Sequence, residues 1–229
     1  MRGKRVEGKP GEPGRQRREA RTTRPGEASV SKGSSRPGGR FARAPASVRI
    51  IGGQWKRTPL PVIEAPGLRP SPDRVRETVF NWLAHFIPDL SSVCGLDLFA
   101  GTGVLGFELA SRGAARVTLV ERNPSLEEQL QRTKQKLHAD TVTIVRSDAL
   151  AFARDGREQS FDVVFLDPPF DSGLLEPALR SAARLVSKQG WIYVESGAPL
   201  GMETVAACGL RIVRADRAGQ VHFHLLQRA

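Results

Sequence analysis

The 229 residues are 39% apolar and 26% charged, enough for one domain with a hydrophobic core and some excess chain. No apolar run approaches the roughly eighteen residues of a membrane-spanning helix, and two cysteines, Cys94 and Cys208, provide neither a disulfide framework nor metal-ligand spacing. The net charge of +11 is unevenly placed, with 13 Lys/Arg against 4 Asp/Glu in residues 1–46 and 22 against 20 in the remainder.

Residues 1–46 are rich in Gly, Pro, Ser and Arg, with Phe41 as their one aromatic. Such a segment buries too little apolar surface to offset the entropy of ordering, which predicts a disordered basic tail. Its charge suits a polyanionic partner through phosphate neutralisation, or equally a solvated arm that aids solubility. Scattered glutamates and prolines count against an organelle transit peptide, and no secretory signal is read, so the expected compartment is the cytoplasm.

Order is expected from Ser47. Val48, Ile50 and Ile51 precede Gly52-Gly53, and Leu60, Val62 and Ile63 follow, a pattern of two short strands around a turn. After Arg69-Pro70-Ser71-Pro72, Asp73 is expected to cap a helix whose Val75, Val79, Trp82, Leu83 and Phe86 share one face and which ends before Pro88. From Ser92 the pattern alternates. Apolar runs at 93–98, 117–120, 142–145, 161–166 and 191–194 are interleaved with helical stretches near 103–112, 124–138 and 174–187, which predicts a parallel sheet covered on both faces. Leu210–Val213 and Val221–Leu226, separated by a turn with Gly219, read as an antiparallel hairpin closing the sheet edge. The predicted fold class is α/β and Rossmann-like.

Two loops carry chemistry. In Asp97-Leu98-Phe99-Ala100-Gly101-Thr102-Gly103-Val104-Leu105-Gly106 a strand ends, a glycine-rich turn follows and a helix begins, so that backbone can approach a ligand closely. Glu121, twenty residues beyond Gly101 at the end of the next strand, is placed to hold a ribose diol. The spacing alone fits a dinucleotide as well as S-adenosylmethionine. Asp97 favours the latter, because a carboxylate there opposes a pyrophosphate and suits an ammonium and a sulfonium. Asp148, after the third strand, is expected to accept from an adenine amine or to cap the helix that follows. Asn123 shapes the ribose pocket or caps the helix starting at Pro124.

The second loop is Asp167-Pro168-Pro169-Phe170. Two prolines remove two backbone donors, leaving the Asp167 carboxylate and the Pro168 carbonyl as acceptors beside an aromatic ring. An exocyclic aryl amine is a poor nucleophile because its lone pair is delocalised. Two acceptors can hold both N–H groups and aim that lone pair, while Phe170 stacks on the base.

Together with Arg49-Ile50-Ile51-Gly52-Gly53 and the run Arg69-Pro70-Ser71-Pro72-Asp73-Arg74-Val75-Arg76-Glu77-Thr78-Val79-Phe80-Asn81-Trp82-Leu83, these loops resemble the RsmD-type 16S ribosomal RNA guanine-N2 methyltransferases, over about residues 48–227. The resemblance implies a class I methyltransferase with a seven-stranded sheet and S-adenosylmethionine as cofactor. It places Asp97, Phe99, Gly101, Thr102, Gly103, Glu121, Arg122, Asp148 and Ala149 at that cofactor. Asp167, Pro168, Pro169 and Phe170 would hold the guanine, and Arg49, Lys56, Arg57, Arg69, Arg74 and Arg76 would lie towards RNA, with at most one of Arg74 and Arg76 lining the crevice. Ser71 stands where that family more often has threonine. The organisation implied is a tail over 1–46, a hairpin-and-helix extension contacting RNA or cofactor over 47–90, and a catalytic domain over 91–229. The implied partner is 16S RNA in the small subunit or its assembly intermediate, with a monomeric enzyme, no metal and no membrane.

Three other readings stay open on sequence. A DNA adenine or cytosine amino-methyltransferase shares the acceptor turn, although 229 residues leave no separate target-recognition domain. An NAD-dependent oxidoreductase shares the glycine loop. A noncatalytic RNA-binding protein shares the basic tail. Trp55, Trp82 and Trp191 are expected to pack, and His222 and His224, on one side of the last strand, to serve packing or surface roles rather than a metal.

Overall fold

The computed structural model describes residues 47–63 and 71–229. The expectations for the tail over 1–46 and for Arg69 lie outside the described residues. The first strands, β1 (Ser47–Arg49) and β2 (Pro59–Pro61), pair antiparallel with Val48 opposite Leu60, and prolines at both ends of β2 hold the ladder to three residues. Helix α1 (Asp73–Phe86) follows and stops one residue before the Ile87 cap and Pro88. Asp73 is not its N-cap, as the sequence suggests; it is the first helical residue, and Pro72 stands at the cap with no side-chain bond. Its carboxylate is drawn instead to two guanidinium groups, Arg49 Nε at 2.8 Å and Arg76 at 2.6 Å.

The alternating half gives β3 (Cys94–Asp97), α2 (Val104–Ser111), β4 (Arg116–Glu121), α3 (Pro124–Leu137), β5 (Val142–Arg146), α4 (Ala149–Asp155), β6 (Phe161–Leu166), α5 (Leu175–Leu185) and β7 (Val186–Ser196). Then come α6 (Met202–Ala207), β8 (Leu210–Ala218) and β9 (Val221–Arg228). The sheet runs β5-β4-β3-β6-β7-β9-β8, parallel from β5 to β7 and antiparallel through β9 and β8. Helix α5 ends two residues before the expected 187 because Val186 is already extended and pairs with Phe161. Short α6, held between Gly201 and Gly209, has no counterpart in the sequence reading.

Both faces of the central strands are apolar, and alternate residues feed different cores. Val163, Phe165, Trp191, Tyr193, Phe223 and Leu225 join α1, α2, α3 and the β1–β2 hairpin on one face. Val164, Leu166, Ile192, Val194 and Leu226 join α4, α5 and α6 on the other. The extension and the sheet therefore share one core. Helix α2 is buried along its whole length, since it lies against the sheet while the segment after β1 crosses its outer side. That is why its sequence, VLGFELAS, lacks a polar stripe.

The crossing is held by one carboxylate. Glu108 Oε2 accepts from Ile51 N at 2.6 Å, and its Oε1 accepts from Gly52 N at 2.7 Å and Arg112 Nε at 2.8 Å. Ser111 Oγ donates to Gly52 O and accepts from Trp55 N. Gly53 has φ +74 and a Cβ there would sit 1.8 Å from Ser111 O, so a side chain is excluded by both torsion and space. Trp55 is half-buried against this core, Trp82 stacks on Phe223 at 5.4 Å and Trp191 on Phe86 at 4.3 Å. Among the described residues no helix is long and apolar enough to cross a membrane.

Candidate active site

Strands β4, β3, β6 and β7 lie side by side, and each carries an acidic residue at or next to its carboxyl end: Glu121 and Asp97 are the last residues of β4 and β3, Asp167 directly follows β6, and Glu195 is the penultimate residue of β7. The register puts Asp97 opposite both Leu119 and Phe165, and Phe165 opposite Tyr193. Leu119, Phe165 and Tyr193 face the core beneath α1 and α2. Two residues further on, Glu121, Asp167 and Glu195 belong to that same face. Four carboxyl groups thus line one edge at the point where the strand order reverses, the place where open α/β sheets bind ligands.

Asp97 is buried. Its Oδ2 accepts from Gly106 N at 3.1 Å, while Oδ1 has no hydrogen-bond partner. Burial pushes this carboxyl up to about 7; the backbone N–H groups of Gly106 and, more weakly, Phe99 oppose that, and the charges of Glu121 and Glu195 add to it. The glycine loop curls over the edge. Gly101 and Gly103 both take positive φ, and Gly103 is the N-cap of α2, conformations that cost a side-chain-bearing residue about 1 kcal/mol or more. Glu121 closes the loop from beneath, accepting from Gly101 N at 2.9 Å through Oε2 and from Asn123 N at 2.8 Å through Oε1. Each oxygen keeps further acceptor capacity. In the same loop Thr102 is buried and Phe99 is half-buried against the second core.

Asn123 is the α3 cap, its Oδ1 accepting from Ser125 N and Leu126 N, and Arg122 beside it is exposed. Asp148 caps α4, Oδ1 accepting from Leu150 N and Ala151 N at 3.0 Å each. The residue is exposed, and Ala149 is packed beneath the helix start.

Asp167 is half-buried and Pro168 is buried, while Pro169 and Phe170 are exposed. Burial, then Glu195, then Asp97 raise the Asp167 carboxyl well above its ordinary range. The Phe170 ring lies against the backbone of Gly197, where an added Cβ would be 3.4 Å from it.

The basic residues divide. Lys56, Arg57 and Arg74 are exposed, and Arg49 is exposed while paired with Asp73. The expectation that Arg76 faces RNA is corrected, because its side chain is fully buried. It donates to Asp73 Oδ1 at 2.6 Å, Arg49 O at 2.8 Å and Ser71 O at 3.2 Å, and lies 3.6 Å from Glu108. The structure also adds residues that sequence reasoning left without a role. Glu195 is buried, and its Oε1 accepts from Tyr193 OH at 2.9 Å and from Ser71 Oγ. A local signal was present, since an acidic residue stands at the carboxyl end of an apolar strand here, as at Asp97, Glu121 and Asp167. His224 is buried and its Nε2 accepts from Leu200 N, and among the described residues no acidic, His and Cys cluster suits a metal.

An edge of four carboxyl groups with one buried oxygen unpartnered opposes a pyrophosphate and fits a cationic ligand. The family model described as conserved hypothetical protein 95 matches residues 48–227. The curated protein "Ribosomal RNA small subunit methyltransferase D" of Escherichia coli (strain K12) is 45% identical over 188 residues, 79% of this chain and 90% of that protein. Its namesake from Haemophilus influenzae is 42% identical over 162 residues, 67% and 80% of the two chains. The solved structure of yhhF from Escherichia coli superposes with a TM-score of 0.67 at 40% identity, covering 80% of this chain and 98% of that one. The chain belongs to this RsmD-type family and is a class I methyltransferase.

Proposed function

We propose that the protein transfers a methyl group from S-adenosylmethionine to the exocyclic N2 amine of a guanine in 16S ribosomal RNA, acting in the cytoplasm as a monomer on the small subunit or its assembly intermediate. The observation that carries this reading is the strand edge on which the unpartnered Asp97 oxygen, the Glu121-braced glycine loop and the Asp167 corner stand together. The names of the curated relatives support the choice of ribosomal RNA over DNA.

Bound there, the cofactor supplies an electrophilic methyl on a sulfonium. Asp97 offers its free oxygen to the cationic end, Glu121 its remaining lone pairs to the ribose diol, and Asp148 the oxygen not used in capping to the adenine amine. Asp167 and the Pro168 carbonyl accept the two N–H groups of the guanine amine, and exposed Phe170 stacks on the base, which contributes about 1–3 kcal/mol. A positive ligand beside Asp97 and Asp167 lowers both carboxyl groups towards ionisation, so filling the first pocket prepares the second. The base must leave its stack to reach this corner. Arg49, Lys56, Arg57, Arg69 and Arg74 would meet phosphates, and the basic tail would add salt-dependent affinity.

Mass mapping of methylated guanines in 16S RNA from cells with and without the protein tests the reading. The expected result is one N2-methylguanine that vanishes on deletion and returns with wild type but not with Asp167→Ala. An unchanged map would end it.

A further inference from the structure

The Asp167 corner has a neighbour that neither glycine loop nor proline motif explains. Glu195 follows Val194 on β7, which pairs with Leu166 on β6, so Glu195 and Asp167 are the next residues of adjacent parallel strands and face the same way. Neighbouring strands lie about 4.8 Å apart. Glu195 is buried, and two hydroxyls meet its Oε1: Tyr193, two residues back on its own strand, and Ser71, 124 positions away and two residues before α1. A buried carboxyl beside a second one is costly unless it serves something.

We propose that Glu195 is a positioning residue for methyl transfer, the second carboxyl of the acceptor pocket, which sets the charge on Asp167 and fastens the segment before α1 to the same strand edge through Ser71. This rests on the function proposed above. As the bond from the amine nitrogen to the methyl carbon forms and the carbon–sulfur bond breaks, sulfur keeps the electron pair and the nitrogen must shed a proton. Asp167 takes that proton, and the negative neighbour makes it a better acceptor than a carboxylate with an ordinary affinity for protons. The two hydroxyls on Glu195 balance the effect by stabilising its charge. Among the described residues, the groups facing this pair include Asp97 on β3, with Glu121 beyond it on β4, Tyr193 on β7 and Arg76 on α1. Arg76 bonds Asp73, Arg49 O and Ser71 O and also feels the charge of Glu195.

The test is the pH profile of single-turnover kcat on small ribosomal subunits purified from cells lacking the protein. Glu195→Gln keeps the shape and an oxygen for Ser71 and Tyr193. It is expected to move the acid limb to lower pH and to lower the plateau about tenfold, with S-adenosylmethionine affinity changed less than about twofold. Tyr193→Phe removes a donor from Glu195, so the pair holds protons more tightly and the limb moves to higher pH. Ser71→Ala, restored by Ser71→Thr, lowers kcat with KM for the subunit rising less. Opposite shifts in Glu195→Gln and Tyr193→Phe support the inference. Profiles of both that superpose on wild type overturn it, as does a limb moving upward in Glu195→Gln. If Glu195→Gln does not fold, the upward shift in Tyr193→Phe is decisive alone. Wild type without any methyl transfer sinks the proposed function instead, a result distinct from an unshifted limb.

Discussion

Glu108, on the outer side of α2, and Asp97, at the strand end beneath that helix, are both buried carboxyl groups, and they are treated in opposite ways. Glu108 receives two backbone N–H groups, one guanidinium at 2.8 Å and a second at 3.6 Å. Asp97 receives Gly106 N on one oxygen, the Phe99 N–H also favours its charged form, and its Oδ1 makes no hydrogen bond. Around Glu108 the polar atoms are closed upon each other, and the extension is thereby fixed to α2. Around Asp97 an oxygen is left for something the protein itself lacks. A satisfied buried charge specifies structure, whereas an unsatisfied one marks a ligand.

Removing each carboxyl should therefore break different things. Glu108→Ala leaves Arg76 buried without that carboxylate and two backbone donors without acceptors. A loss of about 3–5 kcal/mol of stability is expected in denaturant titration, and retained stability would mean that the extension is held elsewhere. Asp97→Ala removes a desolvated group but leaves Gly106 N without its acceptor, so its loss of stability should be well below that of Glu108→Ala. It should weaken S-adenosylmethionine binding in calorimetry by about 1.5–3 kcal/mol, the worth of a hydrogen bond to a charged group. If both variants lost stability equally and neither lost affinity, the contrast would be void.

The same contrast separates what the sequence disclosed from what it hid. Glycine spacing, the Glu121 offset and the double proline are local patterns, and both loops stand where those patterns put them. The alternation of apolar strands with helices specified the parallel sheet, because each strand repeats its own period. Glu195 stands at the carboxyl end of an apolar strand as the other acids do, but its partner was hidden, because Ser71 lies 124 positions away. Glu108 was hidden inside an apolar helix whose outer cover is the distant segment Ile51-Gly52. Arg74 and Arg76 share a motif, and helical period shows only that they diverge. Which one turns inward is decided by where Arg49 O, Ser71 O and Asp73 converge. Helix α6, six residues long, is too short to show a period.

The pH dependence of stability sharpens the comparison at a smaller scale. Asp97 titrates near 3.8 when unfolded and about 7 when folded, so the native state binds the extra proton between those values. Its contribution to stability is complete below about pH 4, declines as pH rises through about 7 and is level above that. Asp97→Asn removes the dependence. The stability of Asp97→Asn minus that of wild type should thus grow from pH 4 to pH 7, and bound S-adenosylmethionine should flatten the wild-type curve. A constant difference would show that Asp97 is not held protonated.

The smallest effect is expected at Arg74, exposed two residues before buried Arg76 on a different face of α1. Arg74→Ala removes no ion pair among the described residues and should shift stability by less than about 0.5 kcal/mol. If Arg74 meets a phosphate, the slope of log affinity for 16S RNA against log salt should fall by about 1. Arg76→Ala should do the reverse, unfolding the extension through Glu108, Asp73 and two orphaned carbonyls while the salt slope of the folded fraction stays put. Equal slopes in both variants would move the RNA contact off α1 and towards Lys56 and Arg57 in the turn between β1 and β2.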